Sequence, residues 1–333
     1  MIKKPIKKLL FVLYLSIITL IILEVGVRLW GYSERHIYDP IYMPYALTQE
    51  IPYVHKPNLV NTRARGLAVI NTDDLGLRAM TNGDRSGPRQ VHEYRIAIVG
   101  DSVTFGEGVV KTEDTYTQVL EDILNRRQST LRVKVFNFGA SAYSVQVMAA
   151  TLRYRMLEVE PDLVLMSIIP PDFDLSRTPS VDAWGYLTDN KMSSILPKGS
   201  ALRVLLRKVH LLYLLRDVTY PRLYRKAEDI HTSSRLPQSY SYVKEFAATA
   251  VQNQIAYRIV LLPSRRSGFM NVPAQMDQDD ISFADLTPLR DEFTQEQFQA
   301  SGFDPHPSAQ VHRRIGEALA EHILESRLMA SQK

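Results

Sequence analysis

The most regular hydrophobic signal lies at the N-terminus, where Leu9 to Val27 is apolar apart from a few small polar residues and one charge, Glu24, near its end. A run of that length crosses a hydrocarbon core, and it lacks the polar face of a surface helix. Lys3, Lys4, Lys7 and Lys8 precede it and predict a cytoplasmic N-terminus, while Arg28, Trp30 and Tyr32 supply the cation and aromatic residues of the far interface. A cleaved signal peptide shares the basic start and apolar centre. No small-x-small cleavage site follows the run, so the expectation is an uncleaved anchor over residues 1–34. Everything after it would then face the periplasm or the cell exterior from the inner membrane.

A different pattern begins near residue 93. Ile96-Ala-Ile-Val99, Val133-Lys-Val-Phe-Asn-Phe138, Pro161 to Ile169 and Tyr257-Arg-Ile-Val-Leu-Leu-Pro263 are short, mostly apolar runs of the kind buried on both faces of a parallel sheet, and Ile281 to Leu286 predicts a fifth strand. Between them, Tyr116, Val119, Leu120, Ile123 and Leu124 recur at helical spacing, and helices are expected over 145–158 and 242–252. A loop over 264–280 and a loop over 301–308 are read next, with Pro307 in the first turn of a closing helix through Ile315, Leu319 and Ile323. Strand and helix alternating at this spacing give an α/β fold with right-handed crossovers. Residues 93–330 form this predicted domain.

Two segments break the alternation. Residues 35–92 are rich in Pro, Tyr, Asn and Asp without a sustained period and read as an irregular extension; Asn71-Thr-Asp-Asp-Leu-Gly-Leu-Arg78 is its most patterned piece, a turn from which Asn71 or Arg78 could reach a site rim. Residues 175–236 form an insertion. Within it Leu202 to Arg216 is apolar with interspersed bases and predicts a helix, either covering the site or resting on a membrane surface.

Composition narrows the function classes. Among 333 residues the net charge of +4 is spread along the chain, which argues against nucleic-acid binding. Cysteine is absent, so disulfides, thiolate metal sites and cysteine nucleophiles are excluded. No His/Asp/Glu group has metal-ligand spacing, and no cofactor is expected.

The chemistry points to the turn after the first strand. Gly100-Asp-Ser-Val-Thr-Phe-Gly-Glu-Gly108 places Ser102 where an open α/β sheet binds its ligands, beyond a strand's carboxyl end. A serine hydroxyl needs a base, itself oriented by a third group. His306, with Asp304 two residues before it, is the histidine on a turn-rich loop that fits.

Gly100-Asp-Ser-Val-Thr-Phe-Gly106 resembles the first block of the SGNH (GDSL-type) hydrolases; Phe138-Gly139 with the small residues after it resembles the second, and Asp304-x-His306 the last. The resemblance covers about residues 93–328. It implies a flavodoxin-like three-layer α/β/α sandwich around a central parallel sheet, with Ser102 as nucleophile, His306 as base and Asp304 as its partner. It also implies an oxyanion hole from the backbone N–H groups of Ser102 and Gly139 and a third-block asparagine. Here that block reads Ile168-Ile-Pro-Pro-Asp-Phe-Asp174, with Pro171 at the asparagine position. Asp172, Asp101, Asn71 and Arg78 are the candidates for the rim; Asp172 also reads simply as a capping acid. The expected activity is that of a membrane-anchored serine esterase or acyltransferase on small O-acyl groups, such as acetyl on an exported glycan. A noncatalytic relative that binds a glycan or a membrane acyltransferase, and a lipid-active enzyme, are the alternatives.

Overall fold

The computed structural model describes residues 4–81, 87–127, 130–176, 179–188, 205–224, 228–265, 268–269 and 271–329. Its centre is a five-stranded sheet of β1 (Glu93–Val99), β2 (Arg132–Asn137), β3 (Leu163–Ile168), β4 (Ala256–Leu261) and β5 (Phe283–Asp285). The order across the sheet is β5-β4-β3-β1-β2, and every neighbouring pair is parallel. The chain steps from β1 outward to β2, then returns across β1 to β3. That reversal makes the carboxyl ends of β1 and β3 the crevice where ligands of open α/β sheets sit.

Alternation along β1 shows why its run is apolar throughout. Ile96 and Ile98 point to one layer and Ala97 and Val99 to the other, and all four are fully buried. The first layer holds α3 (Tyr116–Arg127) and the closing helix α8 (Ala309–Glu325), whose Val119, Leu120, Leu124, Ile315 and Leu319 fill the space above the sheet. The second holds α4 (Val145–Tyr154) and the C-terminal part of α6 (Glu228–Gln252), with Met148, Leu152, Val243 and Phe246 inward. The fold is therefore the three-layer α/β/α sandwich expected, and α1 (Lys4–Trp30) precedes it as one long apolar helix whose surface the protein hardly covers.

The extension is less irregular than its composition suggested. It forms a two-stranded piece, Tyr42–Met43 with Val54–His55, and a three-stranded piece built on Val69–Thr72. Its Ile41, Tyr53, Ile70 and Leu77 belong to the same apolar cluster as Val99 and Phe136 of the sheet. The patterned turn is as read: Asp73 accepts the N–H groups of Leu75 at 3.0 Å and Leu77 at 2.8 Å, closing it.

Three local expectations are corrected. The stretch 301–308 is not a plain loop but a hairpin of β6 (Gln299–Ser301) and β7 (Asp304–Pro307). Pro307 therefore ends a strand, and Ser308 caps α8 by accepting the Val311 N–H. The 264–280 stretch contains α7 (Val272–Gln278), since Pro273 suits a first turn and Ala, Gln and Met then favour helix. In the insertion, the helix α5 spans His210–Tyr224, later than predicted, and Leu202 to Val204 lie outside the described residues.

Candidate active site

The turn after β1 is shaped by steric demand at Gly100, where a Cβ would lie 1.9 Å from Thr104 Oγ1 and 2.7 Å from the Ser167 carbonyl. The chain can thus pass close to β3 and start the short helix α2 (Ser102–Phe105), capped by Asp101, whose Oδ1 accepts the Val103 N–H at 2.9 Å. Gly106 closes α2 in the left-handed region. Ser102 is left at the head of the helix, partly exposed, and its N–H is one of the first-turn donors that have no acceptor within the helix.

The β6–β7 hairpin brings its partners from the far end of the chain. His306 Nε2 lies 3.0 Å from Ser102 Oγ, and His306 Nδ1 lies 2.6 Å from Asp304 Oδ1, which also accepts the His306 backbone N–H at 3.1 Å. Asp304 is buried, so its charge is poorly screened and fixes the imidazole with Nδ1 protonated and Nε2 free to accept the serine proton. Ser102, His306 and Asp304 are thus brought together as expected. His312, nearby in the core, is no rival: it takes the Tyr116 N–H on Nδ1, and burial pushes its pKa down to about 3.

A fourth polar group joins them that the sequence reading missed. Glu107, 2% exposed, places Oε2 3.3 Å from His306 Nε2. Its other oxygen accepts the Ser141 hydroxyl and lies 3.7 Å from Arg65 Nη1, a residue of the extension. Burial favours the neutral form of His306, but the hydrogen bond to Asp304 and the charges of Glu107 and Asp304 outweigh it, and its pKa rises above the ordinary histidine value. The available signal was only a carboxylate inside the glycine turn. What gives it a role is the fold-back of that turn onto β7.

The extension reaches the site through Arg65 and Gly66 rather than through Asn71. Asn71 spends its side chain inside the extension, accepting the Asn61 N–H at 2.9 Å and donating to the Met80 carbonyl at 3.0 Å. Arg78 is buried beneath the turn, not on its rim, and donates to the carbonyls of Gly106 at 2.8 Å and Val109 at 2.9 Å. It braces the segment that carries Glu107. Asp101 is likewise buried under Ser102, whose Oγ is 3.2 Å from its Oδ2; burial raises its pKa against the pull of the Val103 N–H and the charge of His306. Asp172 is the capping acid: its Oδ2 accepts the Ile169 N–H at 2.8 Å in the turn that Pro170 and Pro171 open.

Gly139 does not offer a free donor, because its N–H is given to Asn137 Oδ1 at 2.9 Å. Three residues on, Ala142 sits at φ 62° with no acceptor for its N–H among the described residues. A left-handed alanine is costly and tends to persist where the surroundings impose it for function. Its loop is tied to the site twice, by Ala140 N–H to the Gly100 carbonyl at 3.1 Å and by Ser141 to Glu107.

Gly66, at φ 68°, is wedged against both loops that form the Ser102 cluster: an added Cβ would lie 2.4 Å from the Gly108 nitrogen and 2.8 Å from Asp304 Oδ2. Gly66→Ala is expected to cost about 1–3 kcal/mol from strain and crowding. A lowered thermal midpoint, with a fall in any Ser102-dependent activity as Asp304 is displaced, is the measurable outcome; an unchanged midpoint would refute the wedge. A cavity of about 370 Å³ lies elsewhere, lined by Ser264, Phe269, Pro273, Thr287, Pro288 and Arg290, and no member of the Ser102 cluster lines it.

No family model and no curated protein matches the sequence. Several solved structures resemble the chain in outline. A lipase/acylhydrolase from Enterococcus faecalis is 11% identical over 70% of this chain and 96% of its own, with a TM-score of 0.43. A catalytic mutant of Axe2, an acetylxylan esterase from Geobacillus stearothermophilus, is 14% identical over 71% and 96%, with a TM-score of 0.42. The structure named TesA is 15% identical over 69% and 98%, with a TM-score of 0.43. At such identities the chemistry rests on this chain's own side chains.

Proposed function

We propose that this chain is a serine-dependent acyl-ester hydrolase or acyltransferase of the SGNH type, held to a membrane by α1. The observation that carries the reading is the continuous line from Ser102 Oγ to His306 Nε2, 3.0 Å, and from His306 Nδ1 to Asp304, 2.6 Å. Ser102 Oγ attacks the acyl carbon while its proton passes to His306 Nε2, and Asp304 holds the imidazolium through Nδ1–H. The same proton then goes to the departing alkoxide. Water or a sugar hydroxyl, giving its own proton to Nε2, attacks the acyl-enzyme and frees Ser102.

Charge on the acyl oxygen is met by backbone donors. Ser102 N–H is one, and the Ala142 N–H is the second in place of the engaged Gly139 amide. The third is missing, since Pro171 has neither an N–H nor a polar side chain, and loss of one such donor costs on the order of 10²–10³ in rate. Small O-acyl groups on carbohydrate are the substrate class that the resemblance to SGNH hydrolases suggests, reached from outside the cytoplasm.

A fluorophosphonate probe tests the nucleophile: it is expected to label the wild-type protein and not Ser102→Ala. Equal labelling of both would end this reading. The vacancy left by Pro171 favours the second reading, a noncatalytic glycan- or acyltransferase-binding protein. That reading predicts no aryl acetate turnover and glycan binding unaffected by His306→Ala.

A further inference from the structure

Water-facing helices turn charge outward and bury their apolar stripe. α5 does the reverse. Leu212, Leu215 and Val218, at three-residue spacing and therefore on one face, are 40%, 51% and 51% exposed. Its neighbouring charges are used inward: Arg207 pairs with Asp182 at 3.1 Å, and Asp217 takes the Tyr32 hydroxyl at 3.2 Å and faces His36 Nε2 at 3.3 Å. Leu205, just before α5, adds a further exposed apolar side chain, and Lys208 is an exposed cation beside it.

What lies next to this stripe is the outer end of α1. Glu24 accepts the N–H groups of His210 at 3.0 Å and Leu211 at 2.8 Å, so a side chain of the apolar helix caps the first turn of α5. Arg28 bridges Glu24 at 2.7 Å and the Lys208 carbonyl at 2.9 Å, and the Ser33 hydroxyl reaches the His210 carbonyl at 2.9 Å. α5 is thus fastened to the last two turns of α1. A hydrocarbon core takes up about 20 helical residues, which from Leu9 ends near Arg28. The same end holds the catalytic hairpin: the Phe303 ring, next in sequence to Asp304, packs edge-on against Trp30 at 5.3 Å and Tyr32 at 5.1 Å. Trp and Tyr are residues of the headgroup layer.

We propose that the Leu212–Leu215–Val218 face lies on the bilayer beside α1, as a second membrane contact that fixes the Ser102 centre at headgroup level. The proposal rests on the reading of α1 as a membrane span. The occupant is lipid because the stripe lies on a helix fastened to α1, where Ile21, Ile22, Val25 and Leu29 are exposed in the same way. The consequence is a catalytic centre that meets esters borne on, or arriving along, the membrane surface.

The absence of cysteine permits a clean test. Single-cysteine versions of the full chain, Leu215→Cys, Val218→Cys, Leu15→Cys and Val251→Cys, each carrying an NBD fluorophore, are reconstituted into phosphatidylcholine/phosphatidylglycerol vesicles containing nitroxide lipids. Leu15 reports insertion of α1, and Val251, exposed on α6 away from the proposed contact, reports bulk water. Labels at Leu215 and Val218 should lose about half of their emission to nitroxides near the headgroup, as for an interfacial helix, while Val251 is unaffected. Emission at Leu215 and Val218 that matches Val251, with Leu15 quenched, overturns the proposal and leaves the membrane span standing. Leu15 unquenched overturns both. Self-quenching at Leu215 that grows with protein density and ignores nitroxides would show a second copy on this face, which also overturns it.

Discussion

Substituting His306 by alanine should lower kcat for an acyl ester by about a thousandfold or more, with the protein still folded. The ring is partly open to solvent, at 24% side-chain exposure, and its bonds are to Asp304 and Ser102 rather than to the core, so stability has little stake in it. Nucleophile and base act as one unit. The double variant Ser102→Ala/His306→Ala should therefore be no slower than either single one. Steady-state kinetics on an aryl acetate measures both effects, and a His306→Ala rate equal to wild type would remove the base from the mechanism.

The second large effect is expected at Glu107. In the resting state Nε2 carries a lone pair and accepts from Ser102, so the Glu107 carboxylate 3.3 Å away gains nothing from it. Once the proton has moved, Nε2–H is a cationic donor and Glu107 stabilises it. An interaction stronger in the transition state than in the ground state is what raises kcat. Glu107→Gln should lower kcat by about tenfold, the equivalent of one pKa unit. Its pH signature has a definite sign. His306 must be neutral to act, activity therefore rises as pH passes its pKa, and that pKa is lifted above the ordinary value partly by the charge of Glu107. Removing the charge should move the acid limb of kcat/KM to lower pH. An acid limb that stays in place, or moves up, would show that Glu107 only holds Ser141.

The sheet was legible in the sequence because a strand buried on both faces must be mostly apolar, as Ile96 to Val99 and Leu163 to Met166 are. The meeting of Ser102, Asp304 and His306 was legible because a tight turn after β1 needs its glycines and a histidine base, as proposed here, needs a carboxylate to orient it. What escaped was set by pairings and contacts that the local pattern does not encode. The prolines of Asp304-Pro305-His306-Pro307 look like loop residues, yet β7 finds its pairing partner in Gln299 to Ser301. The resemblance to the second block pointed to the Gly139 N–H as an oxyanion donor, whereas that N–H is given to Asn137 and the left-handed position with the unspent N–H falls on Ala142. Glu107 and Gly66 acquire meaning only when the turn after β1, the extension and β7 converge. Nothing in the local pattern at either residue encodes that convergence.

The cap that Glu24 places on His210 and Leu211 bears on how far the catalytic centre can travel. A domain hung from its anchor by a flexible linker sweeps a volume that grows with linker length, and it can reach up to a polymer well away from the membrane. Here α1 ends at Trp30, and Trp30, Tyr32 and Ser33 are already in contact with the folded domain. No leash remains between helix and domain. On the proposal that α1 spans a membrane, Ser102 would be carried as if on a bracket of fixed height, free to diffuse with the lipids and to spin about α1. Its encounters would then be those of a two-dimensional search, in which the substrate must be brought down to Ser102.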